Sequence, residues 1–442
     1  MYTVDITNIF ILIFIFGTVF SFLIRHLLAF LNYTARKNLS RHPMTETLPE
    51  LFAYPAAQSF NTEKLTTITR YKNALYRSWI PSSILSVTVS LALVLTGFYP
   101  WILDLTLQLT GKPQDFISTY CSFFLFYFVA GLPGFFIAIP FDLYNEFKIE
   151  KKFEFSKMTL SLWFKDLCKS QLISLIVSAI LLVPVTAVLI LFPHNWWIFV
   201  SLILFVFILA AQILYPLVIA PLFNKFTPLE DGELKDAITE LMQKTGFKAS
   251  GVYVMDASKR SGHSNAYFTG FGKSKRIVLF DTLIKQLTTE ELTAVLAHEL
   301  GHYAHHHILK RFSLIIPLEF VLTYCLFLLA NLPSLYEGFG FYQIQTQGLQ
   351  SLEFVGLFLA MLLFEAVQEI IEPLINWGSR KDEYQADAFA ATLTGASDHL
   401  INALIKLNSE NLSDLLPSRL YVFWNYSHPT LLERIRQLQK KG

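Results

Sequence analysis

Two imidazoles and a carboxylate stand together in His298-Glu299-Leu300-Gly301-His302. Residues four apart on a helix lie one turn apart on one face, so both rings can reach one tetrahedral zinc ion. Glu299 then sits beside the metal without ligating it, placed to take a proton from the water that attacks a substrate. A catalytic zinc takes three protein ligands and keeps one position open. A glycine at 305 and a third histidine at 308 would complete one known ligand set, but those positions hold His305 and Ile308. The third ligand must therefore come from elsewhere. Glu383 and Asp387 stand four apart on an expected helix, with Glu383 as ligand and Asp387 accepting a hydrogen bond from a ligand histidine, fixing its tautomer. Glu369 and Glu372 compete for the ligand role. His305, His306 and His307 continue the zinc helix, as solvated residues or as outer supports of the metal.

These groups need a scaffold. Thr288-Thr289-Glu290-Glu291 reads as a capping box that opens an amphipathic helix through Leu292, Val295 and Leu296 into the pentad. Upstream, Leu234, Ile238, Leu241 and Met242 recur at helical spacing. The apolar runs at 250–256 and 275–280 read as strands, and 265–269 as an edge strand between them. Gly270-Phe271-Gly272-Lys273-Ser274 imitates a phosphate loop but lacks its first glycine, since position 267 is Tyr267.

Composition sets the wider frame. The chain has 442 residues, 53% hydrophobic and 15% aromatic, with 41 Phe and only 16% charged. Soluble chains carry about 25% charged residues. Seven stretches supply the roughly 20 apolar residues that a bilayer-crossing helix needs: 9–30, 79–103, 116–140, 171–192, 196–223, 312–332 and 352–375. The first is expected to remain as an anchor, because basic residues follow it rather than precede it. Lys and Arg cluster after the first, third and seventh runs, and the long polar segment follows the fifth. The other connections hold only Lys112. Positive residues mark the cytosolic side, so the N-terminus is expected outside and the C-terminus in the cytosol.

The expected division is 1–223, five spans with cytosolic loops; 224–311, the pentad half of a protease domain; 312–375, two spans; and 376–442, the half with the third ligand. A net charge of +1 offers no basic face for nucleic acid. Cys121, Cys168 and Cys325 make no disulfide framework.

The chain resembles the type I CaaX prenyl protease branch of the M48 zinc metalloproteases, the Ste24-like enzymes. The stretches that carry the likeness are Tyr215-Pro216, Ala220 to Phe226, Ser258 to Phe268, Arg276 to Leu283, the pentad, Glu383 to Ala390, and Ser427 to Arg434. The resemblance implies an all-α polytopic membrane protein whose seven helices form a barrel-like, water-filled chamber. A small α+β gluzincin-type domain would cap it, holding one Zn2+ per chain. It implies zinc on His298, His302 and Glu383, Glu299 as general base with Asp387 in support, and His428 and Arg434 near the metal to polarise the carbonyl or stabilise the oxyanion. It also implies a substrate-binding edge at Asn265, with His263 and Ala266 beside it.

The expected partners are peptide or protein substrates, prenylated or otherwise membrane-associated, and membrane lipid. Glu365, Glu369 and Glu372 form one acidic face of the seventh span and read as the wall of a hydrated interior. The C-terminus lacks a di-lysine signal, which favours a bacterial inner membrane, or the endoplasmic reticulum if the cell is eukaryotic. A bacterial quality-control protease for membrane proteins is one alternative. A seven-span transporter or receptor with a vestigial site is another, opposed by the complete zinc set.

Overall fold

A computed structural model describes residues 3–39, 48–269, 275–342 and 352–440. Part of the basic cluster after the first run (Arg41), the 270–274 stretch and the last two residues, on which readings above fall, lie outside the described residues. Among the described residues, seven helices are long and apolar enough to cross a membrane, and each overlaps one of the seven apolar runs. The first is α1 (Ile9–Leu39).

The second differs from expectation. The run 79–103 is not one span: α2 (Thr62–Leu95) ends before Gly97, and α3 (Phe98–Thr110) starts anew. Gly97 has φ of 72°, a left-handed conformation that glycine adopts without a Cβ clash. Helix α2 reaches back instead to Asn61, whose side chain accepts from the Lys64 backbone N–H, a cap that satisfies one orphan donor of the first turn.

Then come α4 (Phe116–Tyr144), prolonged by a π-helical turn at Asn145–Glu150, α5 (Leu160–Leu191) and α6 (Trp196–Leu214), which carries on to Phe223. Burial is uneven among the spans: within the most apolar stretch it is 44% in the seventh and 33% in the first, but 11% in α2 and 6% in the sixth. Two well-buried helices beside thinly buried ones suit a barrel around a chamber rather than a solid bundle.

After α6 the chain enters the non-membrane body. Strand β1 (Phe226–Pro228), which no periodicity announced, leads to α7 (Glu233–Thr245), then β2 (Gly251–Met255), β3 (Ala266–Thr269) and β4 (Arg276–Phe280). The sheet order is β1-β2-β4-β3, with β2 and β4 parallel and the outer pairs antiparallel. Strand β3 is therefore an edge, as expected. Helix α8 (Thr289–Ala304) follows, opened by the expected box: the Thr288 hydroxyl accepts from the Glu291 N–H and the Glu291 carboxylate from the Thr288 N–H.

The zinc helix does not continue through His305 to His307. The chain turns at His306, which has φ of 54°, and α9 (His307–Ala330) begins there. The seventh span, α10 (Glu353–Thr394), runs 42 residues without a break and carries Glu383 and Asp387 in its final turns. Three helices close the chain: α11 (Asp398–Glu410), α12 (Arg419–Asn425) and α13 (Leu431–Gln439).

The body's core draws on both polar segments. Ile238, Leu279, Leu296, Ile401 and Ile435 pack together, but so do Leu51 and Phe60 from between the first two spans, Ile68 from the start of α2, Ile149 from the end of the third span and Phe155 from beyond it. The loop after α4 is stitched in by Gly262 N–H donating to the Phe155 carbonyl (2.7 Å), and the start of α5 by the Arg260–Asp166 ion pair (2.8 Å). This fixes the segment that leads into β3.

Candidate metal centre

Helices α8 and α10 cross where Gly301 faces Ala386. A Cβ built on Gly301 would lie 2.8 Å from the Ala386 Cα, so only glycine permits this approach. The close crossing brings His298 and His302 of α8 against Glu383 of α10. His298 Nε2 lies 3.3 Å from His302 Nε2 and 3.4 Å from Glu383 Oε2, and His302 Nε2 lies 3.3 Å from Glu383 Oε1. Ligand atoms placed tetrahedrally about 2.0–2.1 Å from one zinc ion stand about 3.3–3.4 Å apart. The donor set therefore fits a single ion. Glu383 Oε2 is buried with no hydrogen-bond partner, which is costly for a carboxylate unless a cation satisfies it.

The ligands are held from behind. His298 Nδ1 stands 2.8 Å from Asp387 Oδ1, so it donates there and leaves the Nε2 lone pair facing the cluster. Asp387 is buried, and Arg434 of α13 grips it through two bonds, Nη2 to Oδ1 (2.5 Å) and Nε to Oδ2 (2.9 Å). Burial and the Arg434 charge favour a neutral His298, yet its bonds to Asp387 and Glu383 hold it up at about 9. A metal ion entering the cluster displaces that proton.

His302 has its own support. Its Nδ1 lies 2.9 Å from His307 Nδ1, and His307 Nε2 lies 3.0 Å from Gln385 Oε1. The turn at His306 swings His307 back under α8, where it is buried. Gln385 escaped the sequence reading. Its position between Glu383 and Asp387 was the available signal.

Glu299 lies on α8 between the two histidines, half-buried, and burial pushes its carboxyl above the usual carboxylate range. His428 stands on the open side, largely exposed, with Nε2 3.5 Å from Glu383 Oε1. Arg434 is occupied by Asp387, and one of its nitrogens also reaches 3.3 Å from His298 Nδ1.

Asn265 is exposed at the start of β3, and its Oδ1 accepts from the Ala266 N–H. Helix α8 packs on this strand. Ala266 is buried in the core beneath it. His263 stacks on Phe155 with ring centroids 4.0 Å apart and contacts Asn411 (3.2 Å) and Glu150 (3.6 Å). Its partners thus lie outside the metal cluster, on Phe155 of the stitched loop, Glu150 at the end of α4 and Asn411 just past Glu410. Of the competing third ligands, Glu369 is taken by Arg25, whose Nε donates at 2.6 Å.

Known proteins resemble this chain along most of its length. Residues 228–441 match peptidase family M48, and residues 40–225 match the CAAX prenyl protease N-terminal family, described as five membrane helices. A CAAX prenyl protease 1 homolog of Dictyostelium discoideum is 39% identical, covering 81% of this chain and 83% of its own. The Homo sapiens homolog is 32% identical over 89% of each. The crystal structure of S. mikatae Ste24p superposes with a TM-score of 0.85 at 31% identity, covering 97% of this chain and 99% of that one.

Proposed function

As a member of the CAAX prenyl protease branch of peptidase family M48, this chain is an integral-membrane metalloprotease, and we propose that one zinc ion held by His298, His302 and Glu383 serves the cleavage of CaaX-type prenylated or other membrane-associated peptides. The observation that carries this reading is that His298 Nε2 and His302 Nε2 stand 3.3 Å apart and each lies 3.3–3.4 Å from an oxygen of the Glu383 carboxylate, with Glu299 between the two histidines on the same helix. Zinc, when bound, supplies the Lewis acidity that polarises a peptide carbonyl and eases ionisation of a water.

The remaining steps belong to the protein. Glu299, its carboxyl raised by burial, takes the proton of the attacking water and hands it to the leaving amine. Asp387 holds His298 in the tautomer that exposes Nε2, and Arg434 neutralises Asp387. His307 and Gln385 do the same for His302. His428, on the open side, donates to the oxyanion that forms at the scissile carbonyl. The substrate backbone adds to the free edge of β3, with Asn265 beside the scissile bond. The halves 224–311 and 376–442 act as one catalytic domain interrupted by the hairpin 312–375, and the five spans of 1–223 complete the barrel.

The cluster faces the cytosol, a reading supported by the Lys and Arg clusters on that side. The membrane is the bacterial inner membrane, or the endoplasmic reticulum in a eukaryotic cell. The transporter, receptor and quality-control readings are not favoured, because the match to CAAX prenyl proteases covers nearly the whole chain. A farnesylated peptide and its unprenylated twin, incubated with purified protein, test the proposal. Cleavage of the farnesylated form is expected, abolished by chelation, restored by zinc and lowered about 10²–10⁴-fold by Glu299→Gln. Equal activity of Glu299→Gln and wild type would defeat the assignment.

A further inference from the structure

A second cavity, of about 450 Å³, lies between α1, α2 and the segment around α12. That size falls within the roughly 300–1,000 Å³ of small-molecule sites. Tyr76 and Trp79 of α2 and Tyr421 and Tyr426 near α12 give it aromatic walls. Its cations are Arg25, Arg36 and Lys72, against one lining carboxylate, Asp414.

Two of these cations are engaged: Arg25 with Glu369 at 2.6 Å and Arg36 with Asp414 at 2.8 Å. Among the described residues, no carboxylate stands within salt-bridge reach of Lys72, whose ammonium lies 5.3 Å from the Tyr71 ring. Asp414 and Glu150 act on it only at longer range. Asp414 is 9% exposed, and its Oδ1 is buried without a hydrogen-bond partner. The cavity thus offers one cation without an ion-pair partner, one acceptor without a donor, and apolar walls.

Its place is informative. Tyr426 is two residues from His428, whose Nε2 is 3.5 Å from Glu383, and two residues span at most about 7 Å. A CaaX box ends three residues after its modified cysteine, so hydrolysis there releases a tripeptide about 10 Å long with a free α-carboxylate. We propose that this cavity receives the three residues beyond the scissile bond. Lys72 is the counter-ion of the terminal carboxylate, Asp414 accepts a backbone N–H, and the aromatic walls cover the aliphatic side chains. The inference rests on the substrate class proposed above. The other source of such an anion is a phospholipid headgroup, which the test separates.

Full-length zinc-loaded protein in phosphatidylcholine nanodiscs is given two farnesylated peptides that differ only in a C-terminal acid or carboxamide. Wild type is expected to prefer the acid about tenfold in kcat/KM, mostly through KM. The acid-to-amide ratio should fall toward one in Lys72→Gln and recover in Lys72→Arg; because it is a ratio, a loss of folded protein cancels. Equal use of acid and amide by wild type, or a preference that survives Lys72→Gln, overturns the proposal. So does anionic lipid suppressing cleavage of both peptides equally, which would assign the cavity to a headgroup. Should no peptide be cleaved by any form, the protease reading fails instead. The cavity is then judged by calorimetry of the acid and amide tripeptides with Glu299→Gln protein, where tighter binding of the acid supports it and equal binding refutes it.

Discussion

Arg434 lies 47 residues beyond Asp387 in the chain, yet two of its nitrogens close on that carboxylate. A buried charge that loses its partner costs about 3–5 kcal/mol, and the loss of an outer support of a metal ligand costs about 10–100-fold in affinity or activity. Arg434→Ala is therefore expected to lower thermal stability and to weaken zinc binding in a chelator competition, with turnover falling as occupancy falls. Loss of kcat at full zinc occupancy would place Arg434 on the reacting carbonyl instead. The metal residues themselves were legible because spacing alone places His298, Glu299 and His302 together. The role of His307 was not, since it depends on the left-handed backbone of His306. Uninterrupted helical spacing does not announce such a turn in a non-glycine residue.

At the level of elements, the metal cluster depends on how closely α8 and α10 can approach. Gly301→Ala places a methyl 2.8 Å from the Ala386 Cα, and overpacking of this kind costs about 1–3 kcal/mol. The helices must part, so loss of zinc is expected along with a lower melting temperature. Gly378→Ala, on α10 where a Cβ meets nothing within 4 Å, is expected to be neutral or up to about 1 kcal/mol stabilising through helix propensity. Metal content and melting temperature of the two variants check the contrast; equal behaviour would remove close packing as the cause. The capping box of α8 and the edge position of β3 followed from local rules. The break at Gly97 did not, because the apolar run passes through it and a lone glycine does not by itself end a span.

Across the whole molecule, one helix joins the membrane to the chemistry. Helix α10 crosses as the seventh span and delivers Glu383 and Asp387 without a break. The orientation proposed for the bundle can be tested with single cysteines in a cysteine-free background. A membrane-impermeant thiol reagent applied to intact cells is expected to label Lys112→Cys and to spare Glu410→Cys until the membrane is opened. The reverse pattern would turn the site to the other side. The body's core also recruits Leu51, Phe60 and Phe155 from the loops between spans and Ile68 and Ile149 from the spans themselves, so bundle and body are expected to melt together in one transition.

By itself the amino-acid order determined the number of spans and the capped helix that carries His298, Glu299 and His302 one turn apart. These follow from periodicity, length and spacing, which are local properties of a chain. Only the tertiary structure decided which carboxylate meets the two histidines. It also decided that Arg434 is bound to Asp387, that His307 turns back beneath His302, and that loops far apart in sequence share one core. Those outcomes depend on the distance between helices that sequence does not bring together, and that distance is set by packing, down to the absence of one methyl group at Gly301.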